Sequence, residues 1–197
     1  MPRPPRARWF GRYPCESALL SRRQLMRVGM GCALAAITTP LRALALAAPP
    51  AWRELEFTSI HTGEKLRVVY RVGDVYQRDA LARVNQQLRD HRTGQVMPID
   101  PTLLDLLHDL RSETGAREPF QVISGYRTYA TNEMLRVRGG QVGRRSYHME
   151  GMAIDIRVAD VPGRQLRDAA LDLKRGGVGY YASSNFVHVD VGPVRFW

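Results

Sequence analysis

The chain has 197 residues, a length that suggests one domain with room for a proper core. Its formal net charge is +10 at pH 7, yet most of the excess sits in the first 47 residues, where eight arginines face the single Glu16. Residues 48–197 carry 21 basic and 18 acidic groups, so the body of the chain lacks the concentrated positive footprint of a nucleic-acid binder.

Residues 1–47 read as an export leader. Ser21-Arg22-Arg23-Gln24-Leu25-Met26 is a twin-arginine pattern, followed by the apolar run Val28–Ile37, a break at Pro40 and small-residue cleavage candidates at Ala45 or Ala47. The apolar run is short and rich in Gly and Ala for a membrane span, and a leader retained as an anchor is the alternative. This predicts a signal peptide over 1–47, a linker over 48–52 and a folded domain over 53–197, exported to the periplasm with no membrane attachment after cleavage. Both cysteines, Cys15 and Cys32, fall in the leader. The exported domain then needs no disulfide, and any metal in it must be held by imidazole and carboxylate rather than thiolate.

In the body, Arg53–Ser59 and Lys65–Tyr70 read as strands flanking the hairpin signal His61-Thr62-Gly63-Glu64. Leu81, Val84 and Leu88 have the spacing of an amphipathic helix over Asp79–Arg89. Asp100-Pro101 supplies an N-cap and a first-turn proline for a helix with a broad face of Leu103, Leu104, Leu106, Leu107 and Leu110, stopped by Gly115. Phe120–Ile123 is a short strand, and Ser124-Gly125-Tyr126-Arg127 turns into a helix from about Thr128 to Arg138. A Gly- and Arg-rich loop follows. Val161-Pro162 opens a further helix that buries Leu166, Ala169, Ala170, Leu171 and Leu173, and Gly176–Tyr181 with Phe186–Val191 closes the chain as a strand pair. Tyr180 and Tyr181 suit either groove lining or edge packing; His61, His91 and His108 are read as structural. The order predicts an α+β fold: a mainly antiparallel sheet with helices on one face and a substrate groove on the other.

Two stretches carry the chemistry. In Ala153-Ile154-Asp155-Ile156-Arg157-Val158, strict alternation sends Ile154, Ile156 and Val158 into a core and Asp155 to the opposite face. Phe186–Val191 repeats the pattern, with Val187, Val189 and Val191 inward and Phe186, His188 and Asp190 outward. If these strands lie close in one sheet, Asp155 and His188 can meet there with His148, seven residues before Asp155. Two imidazoles and a carboxylate are the ligand set of a catalytic zinc site; buried residues that merely satisfy one another's hydrogen bonds are the other reading.

Ser146-x-His148-x-x-Gly151-x-Ala153-x-Asp155, followed by a strand bearing His188, resembles the zinc signature of the D-Ala-D-Ala metallopeptidase group, relatives of lysostaphin and the hedgehog fold. Within it the likeness is to YcbK-like, twin-arginine-exported murein endopeptidases. Ile60–Glu64, Leu88–Arg92, Ile123–Arg127 and Gly176–Tyr181 agree, so that the resemblance covers about residues 53–197. It implies one zinc ion per chain on His148, Asp155 and His188, with peptidoglycan as substrate. It also implies a positive group for the oxyanion at Arg127, with substrate contacts from Tyr126 beside it and from Ser146, a serine that could equally serve only to fix its loop. The positions where relatives carry an acid or histidine as base hold Asn185 and Phe186. Asp190 is the substitute, either as base or as the group that orients a ligand histidine, and Glu150 is a weaker candidate. A stem-trimming carboxypeptidase or dipeptidase, or a non-catalytic wall-binding module stabilised by zinc, is the alternative function.

Overall fold

A computed structural model of the chain describes residues 51–139 and 142–197. The twin-arginine leader, its cleavage candidates and both cysteines lie outside the described residues. Among those described, eight strands form one mixed sheet: β1 (Trp52–Ser59), β2 (Lys65–Val72), β3 (Val75–Tyr76), β4 (Phe120–Ser124), β5 (Ala153–Val158), β6 (Gly177–Tyr181), β7 (Phe186–Asp190) and β8 (Arg195–Phe196), in the order β3-β2-β1-β4-β5-β7-β6-β8. Five neighbouring pairs are antiparallel, but β1 runs parallel to β4 and β6 parallel to β8. The sheet is therefore mixed rather than purely antiparallel. A parallel neighbour needs a crossover, and the two helices between β1 and β4 supply one.

Four helices accompany the sheet: α1 (Arg78–Gln87), α2 (Pro101–Thr114), α3 (Tyr129–Val137) and α4 (Gly163–Leu173). α2 begins where the sequence places it, with the Asp100 carboxylate accepting from the Thr102 N–H at 2.8 Å, and ends on Gly115 at φ +66°. Its Leu103, Leu104, Leu106, Leu107 and Leu110 are all buried, each worth about 1.5–3 kcal/mol of transfer free energy. They join Val84 and Leu88 from the α1 end and Leu166 and Ala170 from α4 in a single core. The sheet contributes the other half through alternate residues: Leu55 and Phe57, Leu66 and Val68, Phe120 and Val122, Ile154 and Ile156, Val187 and Val189. α3 adds no residue to this core. No helix among the described residues is long and apolar enough to cross a membrane.

The strand alternation that fills the core leaves Asp155, His188 and Asp190 on the opposite face. Asp155 and His188 are direct cross-strand partners in the β5/β7 register. That pairing is what the fold contributes to the site.

Candidate metal centre

His148 stands on a short 3-10 turn, Tyr147–Glu150, just before β5. Its carbonyl accepts from the Arg127 N–H at 3.1 Å, so the turn is tied to the segment that follows β4. That segment is fastened in its own right. The Tyr126 N–H donates to the Leu88 carbonyl at 2.8 Å, and the buried Asp90 carboxylate accepts from the Thr128 N–H at 2.9 Å and its hydroxyl at 2.8 Å. Burial would raise the Asp90 carboxyl, but hydrogen bonds from Thr131, Thr128 and Arg92 outweigh it and hold the group down to about 2. Gly125 lies so close to the α1 end that a Cβ there would come within 2.4 Å of the Leu88 carbonyl oxygen. Only glycine lets the turn sit this tightly.

The turn fixes one imidazole. His148 Nδ1 lies 2.7 Å from the Gly125 carbonyl oxygen and so carries the proton, leaving Nε2 with a lone pair. His188 has the reverse arrangement: Nε2 donates to Asp190 at 3.0 Å, which leaves Nδ1 with the lone pair. The two bare nitrogens are 3.1 Å apart, and Asp155 Oδ1 lies 3.1 Å from one and 2.8 Å from the other. Three electron-pair donors converging on one point repel unless a cation or a proton stands between them. Ligands about 2.0–2.1 Å from a tetrahedral zinc ion lie roughly 3.3 Å apart, so the triangle fits such an ion after small adjustment. The three residues form the only group of three or more His, Cys, Asp or Glu with metal-site spacing among the described residues, and all three are buried.

Electrostatics agree with ligand duty. Burial holds the His148 imidazole below its ordinary value, and the Arg127 guanidinium adds to that, so the ring stays neutral. Burial alone would raise the Asp155 carboxyl, but contacts with His148, His188 and Arg127 hold it well below the usual carboxylate range. For His188 burial works downward and is outweighed by hydrogen bonds to Asp155 and Asp190, which raise it. The metal-free protein therefore keeps the His188 proton to a higher pH than an ordinary imidazole does, and a metal must displace it. Zinc affinity should thus fall as pH is lowered. Calorimetric titrations at neutral pH, in buffers of different ionisation enthalpy, should show proton release on zinc uptake; release of none would contradict this arrangement.

Arg127 is buried beside the ligands. Its Nε donates to the Ser124 hydroxyl at 2.7 Å, and its terminal nitrogen reaches His148 Nε2 at 3.0 Å and the Asp155 carboxylate. Asp190 is fully buried on the far side of the His188 ring, accepting also from the Gly177 and Gly192 N–H groups and from Arg195. Both of its oxygens are engaged. Glu150 is exposed at the end of the 3-10 turn and does not line the groove. Ser146 does line it, whereas Tyr126 packs against the core instead.

A groove of about 550 Å³ opens over the cluster, walled by Tyr147, Tyr181, Phe186 and Trp197. Three arginines, Arg127, Arg145 and Arg195, face it against the single carboxylate of Asp155. Tyr181 thus takes the groove-lining role, while Tyr180 packs on the core. Sequence reasoning misses Arg195 and Trp197, because no periodicity continues past Gly192-Pro193. His61 and His91 stack at 3.9 Å between ring centroids, a contact across thirty residues that spacing does not reveal.

The family model described as peptidoglycan L,D-endopeptidase MepK matches residues 47–197. The chain is 42% identical over 177 residues to the peptidoglycan L,D-endopeptidase MepK of Escherichia coli strain K12, a match covering 90% of this chain and 97% of that protein. It is 39% identical over 178 residues to the probable peptidoglycan L,D-endopeptidase MepK of Haemophilus influenzae, covering 90% and 95%. The Serratia marcescens L-Ala D-Glu endopeptidase ChiX aligns with 49% of this chain and 69% of its own at 23% identity and a TM-score of 0.32, too loosely to bear on the site. Buried His, Asp and His lone pairs meeting in a groove are what a metallopeptidase requires, and a match running from residue 47 to the last residue places this chain in the Peptidase_M15_2 family of the M15 metallopeptidase group.

Proposed function

We propose that this chain is a zinc-dependent peptidoglycan L,D-endopeptidase, exported by the twin-arginine route and active in the periplasm. The observation that carries the reading is the meeting of His148 Nε2, Asp155 Oδ1 and His188 Nδ1 within 3.1 Å of one another. One zinc ion per chain would be held by these three residues. When bound, zinc supplies a Lewis acid that polarises a peptide carbonyl and makes water acidic enough to attack near neutral pH.

The chain's own residues do the rest. Arg127 presents a permanent positive charge where negative charge grows on the carbonyl oxygen. Of the two roles open to Asp190, its burial and engaged oxygens favour orienting His188 over taking a proton. Ser146 and the aromatic walls position the peptide. Three arginines on the groove suit stem peptides, whose carboxylates they attract.

Purified sacculi treated with the protein should release uncross-linked muropeptides, with fragment masses that place the cut at an L,D cross-link. A chelator or His148→Ala should abolish the release. Fragments trimmed only at free stem ends would instead indicate a carboxypeptidase, and retention on sacculi without any cleavage a binding module.

A further inference from the structure

We propose that Arg195, in the short C-terminal strand, is a positioning residue for the metal site that acts through Asp190 to fix the ring of His188. The inference rests on the reading of His148, Asp155 and His188 as metal ligands. Two nitrogens of the Arg195 guanidinium take the two oxygens of Asp190, at 3.1 and 2.6 Å. The Gly177 and Gly192 N–H groups also hold Oδ1, at 3.0 and 2.9 Å, but Oδ2, the oxygen that faces His188, has among the described residues only the planar Arg195 fork to fix it besides the histidine itself. Asp190 then presents Oδ2 to His188 Nε2 at 3.0 Å, which turns Nδ1 toward His148 and Asp155.

Arg195 is itself held on both sides. Its guanidinium carbon lies 5.0 Å from the Tyr147 ring centroid and 5.2 Å from that of Trp197. Trp197 is anchored by backbone hydrogen bonds to Val178 and Tyr180, and its indole N–H donates to the Tyr181 hydroxyl at 2.9 Å. Tyr147 immediately precedes His148. One guanidinium therefore touches the carboxylate behind one ligand and the residue beside another. The room for it is cut by glycine: a Cβ on Gly177 would lie 2.5 Å from Asp190 Oδ2 and 2.6 Å from Arg195, and one on Gly192 would lie 2.5 Å from the Tyr147 ring. β8 pairs with β6 through its backbone, so removing the Arg195 side chain leaves that pairing in place.

Zinc dissociation constants, measured by chelator competition, test the proposal on the protein, Arg195→Ala, Arg195→Lys, Asp190→Asn and the Asp190→Asn/Arg195→Ala double variant. Arg195→Ala should weaken zinc binding about 10- to 100-fold. Its metal-free fold should persist, with an unfolding midpoint lowered by the loss of a charge partner for the buried Asp190 carboxylate. Arg195→Lys should recover only part of the loss, because an ammonium cannot grip both oxygens. The double variant should bind zinc no more weakly than Asp190→Asn alone. Zinc binding by Arg195→Ala within twofold of the parent, or losses that multiply in the double variant, would overturn the inference. If the parent takes up no zinc the metal reading fails, and the His188 Nε2–H proton resonance decides this point instead. Slow exchange of that proton in the parent and its loss in Arg195→Ala support the clamp; equal protection in both refutes it.

Discussion

Arg127→Gln should lower kcat on cross-linked muropeptides by about 10²- to 10³-fold, the cost of removing one donor to a developing oxyanion. Zinc binding should survive. Arg127 contributes a positive charge beside the cluster and no lone pair, so its loss removes repulsion toward a bound cation and takes away no ligand. Arg127→Lys should recover little activity. The arginine is aimed by Nε, which donates to Ser124, while its terminal nitrogen reaches His148 and Asp155. A lysine has one nitrogen and cannot do both. Turnover and zinc stoichiometry measured on the same samples decide the matter. Activity and zinc lost together would make Arg127 part of the metal-holding framework, and unchanged kcat would remove it from the chemistry.

The meeting of Asp155 and His188 is legible because strand alternation assigns faces. Once Ile154, Ile156, Val187 and Val189 are placed inside, Asp155 and His188 must share the other side. The choice between roles for Asp190 was not legible, since it depends on which nitrogen of His188 faces the cluster, a matter of one side-chain torsion. The parallel pairing of β1 with β4 was hidden for another reason: sixty residues and two helices intervene, and a local pattern does not register a crossover. β3 and β8 are two residues each, too short to show any period. Arg195 and Trp197 fall in or just beyond such a strand, so the groove wall they build emerges only from tertiary contacts. Asp105 is hidden differently, inside a run of leucines whose spacing marks it simply as helix.

Asp105→Ala should destabilise the protein by about 3–5 kcal/mol, the usual cost of removing one partner from a buried ionic cluster. The carboxylate is nearly inaccessible on α2, at 6% exposure. Oδ1 accepts from the Tyr70 hydroxyl at 2.9 Å and from Arg53 at 3.2 Å, and Oδ2 from the Tyr76 hydroxyl at 2.6 Å and Arg71 at 2.9 Å. One carboxylate thus ties α2 to β1, β2 and β3. The loss is not shared equally among the partners. Arg53 keeps Asp109 and Arg71 keeps Asp74, but the hydroxyl of the fully buried Tyr70 loses its carboxylate acceptor. Asp105→Asn, which keeps an acceptor, should cost less, and pairing Asp105→Ala with Tyr70→Phe should recover part of the loss by removing the stranded hydroxyl. Burial raises the Asp105 carboxyl, but the two tyrosines and Arg71 outweigh it and hold the group below its ordinary value. Its contribution is therefore complete above the unfolded carboxylate range and disappears as pH falls through the lowered folded value. Denaturant unfolding of the parent and the three variants, at neutral pH and again in acid, should show the gap between parent and Asp105→Ala narrowing in acid. A gap that stays constant with pH would mean that α2 is held by its leucines alone and that the carboxylate adds no charge-dependent stability. Since Asp105 shares no contact with His148, Asp155 or His188, zinc affinity should be the same in all four proteins.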